Sequence, residues 1–138
     1  MNAQQKVINT LCQRYDVQAM YVFGSRATEV LALIEGSVDA LVGCERDVDI
    51  AILTGSPLSV EQKVELSIAL EDTFGAPRVD LVVLNNADPF LAANAIRGYR
   101  LYARDSYEAD EYELYVLRRA GDLAPFERKR IAMIMGDK

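Results

Sequence analysis

Three aspartates and a Gly-Ser pair are the residues of this chain whose types and spacing best suit chemistry. Gly24-Ser25 closes an apolar run, YVFGS. Asp47 and Asp49 open a second, DVDIAIL, and Asp80 lies inside a third, VDLVVL. If each run is a strand, side chains alternate between its faces, so Asp47 and Asp49 project from the same one. Their Cα atoms are then roughly 6.6 Å apart, at about 3.3 Å per residue. Two carboxylates at that spacing can lean onto one or two hard cations, and Mg²⁺ favours a few carboxylates plus phosphate oxygens over an all-protein cage. A glycine lets backbone N–H groups approach phosphates with no Cβ in the way, and Ser25 adds a hydroxyl donor. The set suggests a nucleoside triphosphate held through metal, and hence nucleotidyl transfer. Asp80, across from the pair, suits a metal ligand and the acceptor of a proton from an attacking hydroxyl. Arg26 either reaches the triphosphate or stands exposed.

Composition narrows the chemistry further. The chain has no histidine, which excludes Ser-His-Asp and Cys-His centres, histidine-bound zinc and an imidazole base. Carboxylates, metal, lysine or tyrosine must do the work. A net charge of −6 and a pI near 4.7 oppose nonspecific binding to a nucleic-acid backbone, which needs a basic surface. An acidic body better suits a basic protein partner or a small substrate. Cys12 and Cys44 form neither a disulfide framework nor a zinc pattern and read as small buried apolar residues. No apolar stretch approaches the roughly 18 residues that span a bilayer, and MNAQQKVINT lacks the apolar core of a signal peptide. No membrane association and a cytoplasmic location are expected.

The elements that must position these residues follow from periodicity. The 138 residues fit one domain, 1–138, with a core over about 1–104 and a helical arm over about 105–138. A helix is expected over 2–15, with Val7, Leu11 and Tyr15 on one face. Met20 to Phe23 is the first strand. Residues 27–43 are apolar and ambiguous, with Gly36-Ser37 a break. Val48 to Leu53 is a buried strand. Ser59 and Gln62 form a capping box for the next helix, whose core face reads as Val60, Val64 and Ile68 with Leu66, Leu70 and Phe74, ended by Gly75. Val79 to Leu84 is the third strand. Asp88-Pro89 starts a helix to about Arg97, and Leu101 to Ala103 is an edge strand. Two further helical parts follow from Ser106, separated around Gly121 to Pro125. The acidic run 105–113 reads as a solvated face, and the tyrosines at 99, 102, 107, 112 and 115 as core or partner surface.

YVFGSRA, DVDIAIL and VDLVVLN, in that order in so short a chain, resemble the minimal nucleotidyltransferase (MNT) domain of the polymerase-β-type nucleotidyltransferase superfamily. The resemblance covers roughly residues 5–104. It implies an α/β (α+β) fold, a small mixed β-sheet flanked by helices. It also implies that Gly24, Ser25 and Arg26 bind nucleotide phosphates, and that Asp47, Asp49 and Asp80 bind Mg²⁺ and carry catalysis with ATP as substrate. Many such proteins are antitoxins paired with a HEPN-domain toxin, and some transfer AMP to a tyrosine of that toxin. A non-catalytic antitoxin that acts by binding, and a small-molecule nucleotidyltransferase, are the alternatives; homo- or hetero-oligomers are open. Two departures stand out. The segment between Ser25 and Asp47 is longer than the family's usual spacing, its extra part within roughly 30–44 packing as a helix or hairpin at the site's rim or against a partner. Arg46 stands where the family commonly has serine.

Overall fold

The computed structural model describes residues 3–41 and 47–134, with backbone alone at 126, 127 and 131–134. The readings of Cys44 and Arg46, and the end of the 30–44 segment, lie outside the described residues. The elements run α1 (Ala3–Arg14), β1 (Val17–Phe23), α2 (Ala27–Glu35), β2 (Val48–Thr54), α3 (Val60–Phe74), β3 (Val79–Val83), α4 (Pro89–Ile96), β4 (Tyr99–Ala103) and α5 (Ser106–Ile134), with a short 3₁₀ turn at Leu84–Asn86. Four strands form one sheet in the order β3-β2-β1-β4. β1 is antiparallel to both β2 and β4, whereas β2 and β3 are parallel. Parallel neighbours need a crossover, which α3 supplies. The mixed α+β sheet expected of the fold is therefore present, with β3 and β4 at its edges.

Strand alternation divides the core in two. Met20, Val22, Val48, Ile50 and Ile52 face α1, α2 and α3. Ala19, Tyr21, Phe23 and Ala51 face α4 and α5. On the second face the buried Tyr21 hydroxyl donates to Glu113 of α5 at 2.8 Å. Arg100 of β4 donates to Glu113 and Asp110, each at 2.8 Å. Burial and the Glu113 hydrogen bond raise the Tyr21 hydroxyl above the ordinary tyrosine range. The acidic run is thus mostly solvated, as its composition implies, but Glu113 turns inward and fastens α5 to the sheet.

Several sequence expectations need correction. Of the expected α1 face, Leu11 and Tyr15, the latter just past the helix, are buried, but Val7 is exposed and Ile8 and Cys12 are buried in its stead. In α3 only Leu66, Leu70 and Phe74 are buried, and Val60, Val64 and Ile68 are at least half exposed. A two-stripe apolar helix cannot bury both stripes against one sheet face, and the stripe with the larger side chains lies inward. Of the ambiguous 27–43 stretch, the described residues 27–41 hold α2, which ends at the expected break on Gly36 at φ 82°, a left-handed conformation suited to glycine. α5 is one helix of 29 residues with Pro125 inside it, where two were expected. Proline removes a single interior hydrogen bond and clashes with the carbonyl four residues back. That carbonyl belongs to Gly121, beside which nothing lies within 4 Å of a Cβ position, and a helix already propagated over several turns continues through the loss.

The inward face of α3 gives a direct test. Leu70→Ala is expected to lower unfolding free energy by about 2–5 kcal/mol, and Val64→Ala by less than about 0.5 kcal/mol. Urea denaturation of the two variants checks it; equal losses would restore the two-stripe core.

Candidate active site

The site is built by strand register. Asp49 lies opposite Phe23 in the antiparallel β1–β2 pair and opposite Asp80 in the parallel β2–β3 pair. Residues directly opposite share a face, so Phe23, Asp49 and Asp80 form one row across three strands. The row lies on the α4–α5 face, where Phe23 is buried. Gly24 follows Phe23 with φ 78°. A Cβ built there would collide with Asp49 Oδ2 and stand 3.3 Å from its carboxyl carbon. Glycine is required at position 24 twice over, by its backbone angle and by the carboxylate lying on it.

Asp49 is half-buried, whereas Asp80 is exposed on the edge strand. Although apolar residues flank Asp80 in VDLVVL, its place opposite Asp49, not desolvation, makes it notable. Burial, then the charges of Asp80 and Asp47, raise the Asp49 carboxyl above the ordinary carboxylate value. Asp47 sits just ahead of β2 and pairs with Arg78 at 3.7 Å, both side chains largely solvated. Among the described residues no three His, Cys, Asp or Glu side chains are gathered closely enough to hold a metal ion together. The fold thus brings Asp49 and Asp80 side by side and holds Asp47 near them, turned to an arginine. Negative charge concentrated on a partly buried carboxylate is the condition a divalent cation relieves, and an all-oxygen donor set fits Mg²⁺.

Ser25 is exposed on the turn beside Gly24. The turn is closed by the Ala27 N–H donating to the Gly24 carbonyl at 3.3 Å. Arg26 is neither exposed nor open to solvent. It is 3% exposed, stands at the N-cap of α2 without a capping hydrogen bond to the helix backbone, and donates to the Glu29 carboxylate of the first turn at 3.1 Å. The start of α2 therefore points its N–H groups and positive dipole end toward the Gly24-Ser25 turn. Next to that turn opens a cleft of about 400 Å³ lined by Phe23, Gly24, Ala27, Thr28, Asn94, Arg97, Gly98 and Tyr99. From sequence Asn94 does not stand out, Arg97 reads only as a helix end, and Tyr99 only as core or partner surface. They stand some seventy residues after the Gly-Ser turn, and Gly98 read only as a helix end.

A mixed sheet bearing carboxylates opposite a Gly-Ser turn is the arrangement of nucleotidyltransferase folds. Residues 5–107 match the family described as "Polymerase beta, Nucleotidyltransferase", and the chain belongs to that family. Its fold resembles a chain from the structure of the toxin–antitoxin MntA–HpeT in a mutant form (TM-score 0.72, 20% identity, 98% of this chain and 99% of that one). A toxin–antitoxin structure with AMP-PNP is similar too (TM-score 0.70, 21% identity, 95% and 98% covered). So is a structure of tri-AMPylated Shewanella oneidensis HEPN toxin in complex with MNT antitoxin (TM-score 0.68, 20% identity, 96% of each chain). No curated protein matches the chain. No helix among the described residues is long and apolar enough to cross a membrane.

The raised Asp49 carboxyl has a defined sign. A carboxyl whose folded value lies above its unfolded one favours the folded state at low pH and opposes it once pH passes the folded value. Asp49→Asn, measured without divalent metal, is expected to melt above the parent at pH 7. The gain should shrink as pH falls toward the ordinary value of 3.8. A melting temperature below the parent's at pH 7 would overturn the electrostatic account. Gly24→Ala is expected to lose at least about 1–3 kcal/mol from backbone strain alone, read by the same melts.

Proposed function

We propose that this chain is a Mg²⁺-dependent nucleotidyltransferase that transfers AMP from ATP to a tyrosine of a HEPN-domain toxin, and that it acts as that toxin's antitoxin. The observation that carries the reading is the pairing of Asp49 with Asp80 across β2 and β3, with the Asp49 carboxylate packed directly on Gly24 of the Gly-Ser turn. Family membership supports the reaction class. The toxin partner and the AMP acceptor are inferred by analogy with the toxin–antitoxin structures of similar fold.

Asp47, Asp49 and Asp80 would hold Mg²⁺, which when bound supplies positive charge against the phosphate oxygens. Gly24 and Ser25 offer the phosphate chain an N–H and a hydroxyl at the start of α2, whose dipole favours the same anion. Arg26, paired with Glu29, fixes the helix start behind that turn. In the transfer, the acceptor's phenol oxygen bonds to the α-phosphorus, the α–β phosphoanhydride bond breaks, and pyrophosphate leaves. Asp80, exposed on its edge strand, takes the phenol proton. Site and partner surface are expected to be contiguous, with the partner docking over the Asp47–Asp49 rim and touching the 30–44 segment and α5. A cytoplasmic protein of one domain suits this role.

A second reading is neutralisation by binding alone. The Asp47–Arg78 ion pair favours it, because one of the three carboxylates is already engaged. The two readings separate in one experiment. Purified with the HEPN protein and Mg²⁺-ATP, the chain is expected to add one or more adenylyl groups to the partner, seen by intact mass. Asp49→Asn should abolish the addition and the neutralisation together. A variant that still silences the toxin with no mass change would replace transfer by occlusion.

A further inference from the structure

We infer that Arg97 binds the leaving pyrophosphate of the nucleotide, in the cleft on the far side of Gly24 from the aspartates. The inference rests on the nucleotide-site reading above and adds a cationic residue to it.

Three observations bear on it. First, Arg97 is the charged side chain among the described residues that line the cleft, whose wall also includes Gly24, Ala27 and Thr28. Asp47, Asp49 and Asp80 do not line it. A phosphate chain whose α-phosphorus lies at the carboxylates and whose next phosphates cross the Gly24-Ser25 turn would run into this cleft. Second, the position is fixed by close packing. A Cβ at Gly98 would run into the Val22 carbonyl and stand 2.9 Å from both Cα and Cβ of Phe23. The backbone of Arg97-Gly98 therefore rests directly against the end of β1, one residue before the turn. On the other wall, the Tyr99 hydroxyl is 3.5 Å from Thr28 Oγ1, which ties β4 to the start of α2. Third, Arg97 is exposed, and its guanidinium has no ion-pair or hydrogen-bond partner among the described residues. The other described arginines of the sheet's edge strands and their flanks, Arg78, Arg100 and Arg104, each pair with a carboxylate.

Charge completes the argument. In a chain of net charge −6, whose site gathers carboxylates, a polyphosphate tail would meet repulsion unless a cation faces it. Pyrophosphate gains charge as the α–β bond breaks, and a planar guanidinium with several N–H donors suits such oxygens. Arg97 follows the last turn of α4, so the helix's negative end favours a cation there even before a ligand binds.

Calorimetric titration of the wild-type chain and of Arg97→Ala with Mg²⁺-ATP, Mg²⁺-pyrophosphate and AMP tests this. Arg97→Ala is expected to weaken ATP and pyrophosphate by about 10–100-fold and to leave AMP within about twofold. Arg97→Lys should recover part of the loss, and melting temperatures should be unchanged because the side chain is exposed. A loss on AMP with pyrophosphate intact would assign the cleft to the base or ribose and overturn the inference. So would ATP and pyrophosphate binding within about twofold of wild type, if Asp49→Asn abolishes ATP binding in the same series; the nucleotide-site reading would then stand and Arg97 alone would fall. Absence of ATP binding by the wild-type chain would remove both.

Discussion

The register of β2 is the constraint from which the site follows. This strand is antiparallel to β1 on one side and parallel to β3 on the other, and Asp49 is paired on both sides, with Phe23 at the end of the β1 pairing and with Asp80. A slip of one residue against either neighbour would turn Asp49 under α1, α2 and α3 and carry Val48, Ile50 and Ile52 to the opposite face, because strand side chains alternate. The apolar residues flanking Asp49 therefore hold it in place: the same alternation that buries them keeps the carboxylate at the rim beside Gly24.

A second dependence runs through the polar contacts under α5. Tyr21 is fully buried in β1, and its hydroxyl finds Glu113. Arg100, on the adjacent β4, reaches the same carboxylate and Asp110. A buried hydroxyl without a partner is costly, so the strand that ends in the Gly-Ser turn is also the strand that fixes where the long helix lies. The Gly-Ser turn and the C-terminal arm are aligned through one strand of seven residues.

Much of this was legible because it is local. Gly24-Ser25, Asp47-x-Asp49 and Asp80 stand out as chemistry-bearing residues at the ends of apolar runs, and the capping box of Ser59 and Gln62 is present as drawn from sequence. Asp88 as N-cap with Pro89 in the first turn is present too. What sequence left hidden depends on three-dimensional competition. Both stripes of α3 are apolar, and only packing against the sheet decides between Leu66-Leu70-Phe74 and Val60-Val64-Ile68. Asp80 looks enclosed in VDLVVL, yet β3 is an edge strand, a fact of sheet order that its own residues do not carry. Arg97 looks like any basic residue after a helix, and only the contact of Gly98 with Phe23 brings it to the turn. The fold class needed patterns within a strand or helix; the partners of the site needed contacts between them.

Asp49 and Asp80 face one another from unequal mountings. Asp49 has a strand on each side and a glycine beneath it, whereas Asp80 rides on an edge strand with one neighbour and solvent around it. The pair resembles a caliper with a single fixed jaw. Its gap rests on the β2–β3 pairing, and among the described residues the outer row of backbone N–H and C=O groups of β3 has no strand beside it.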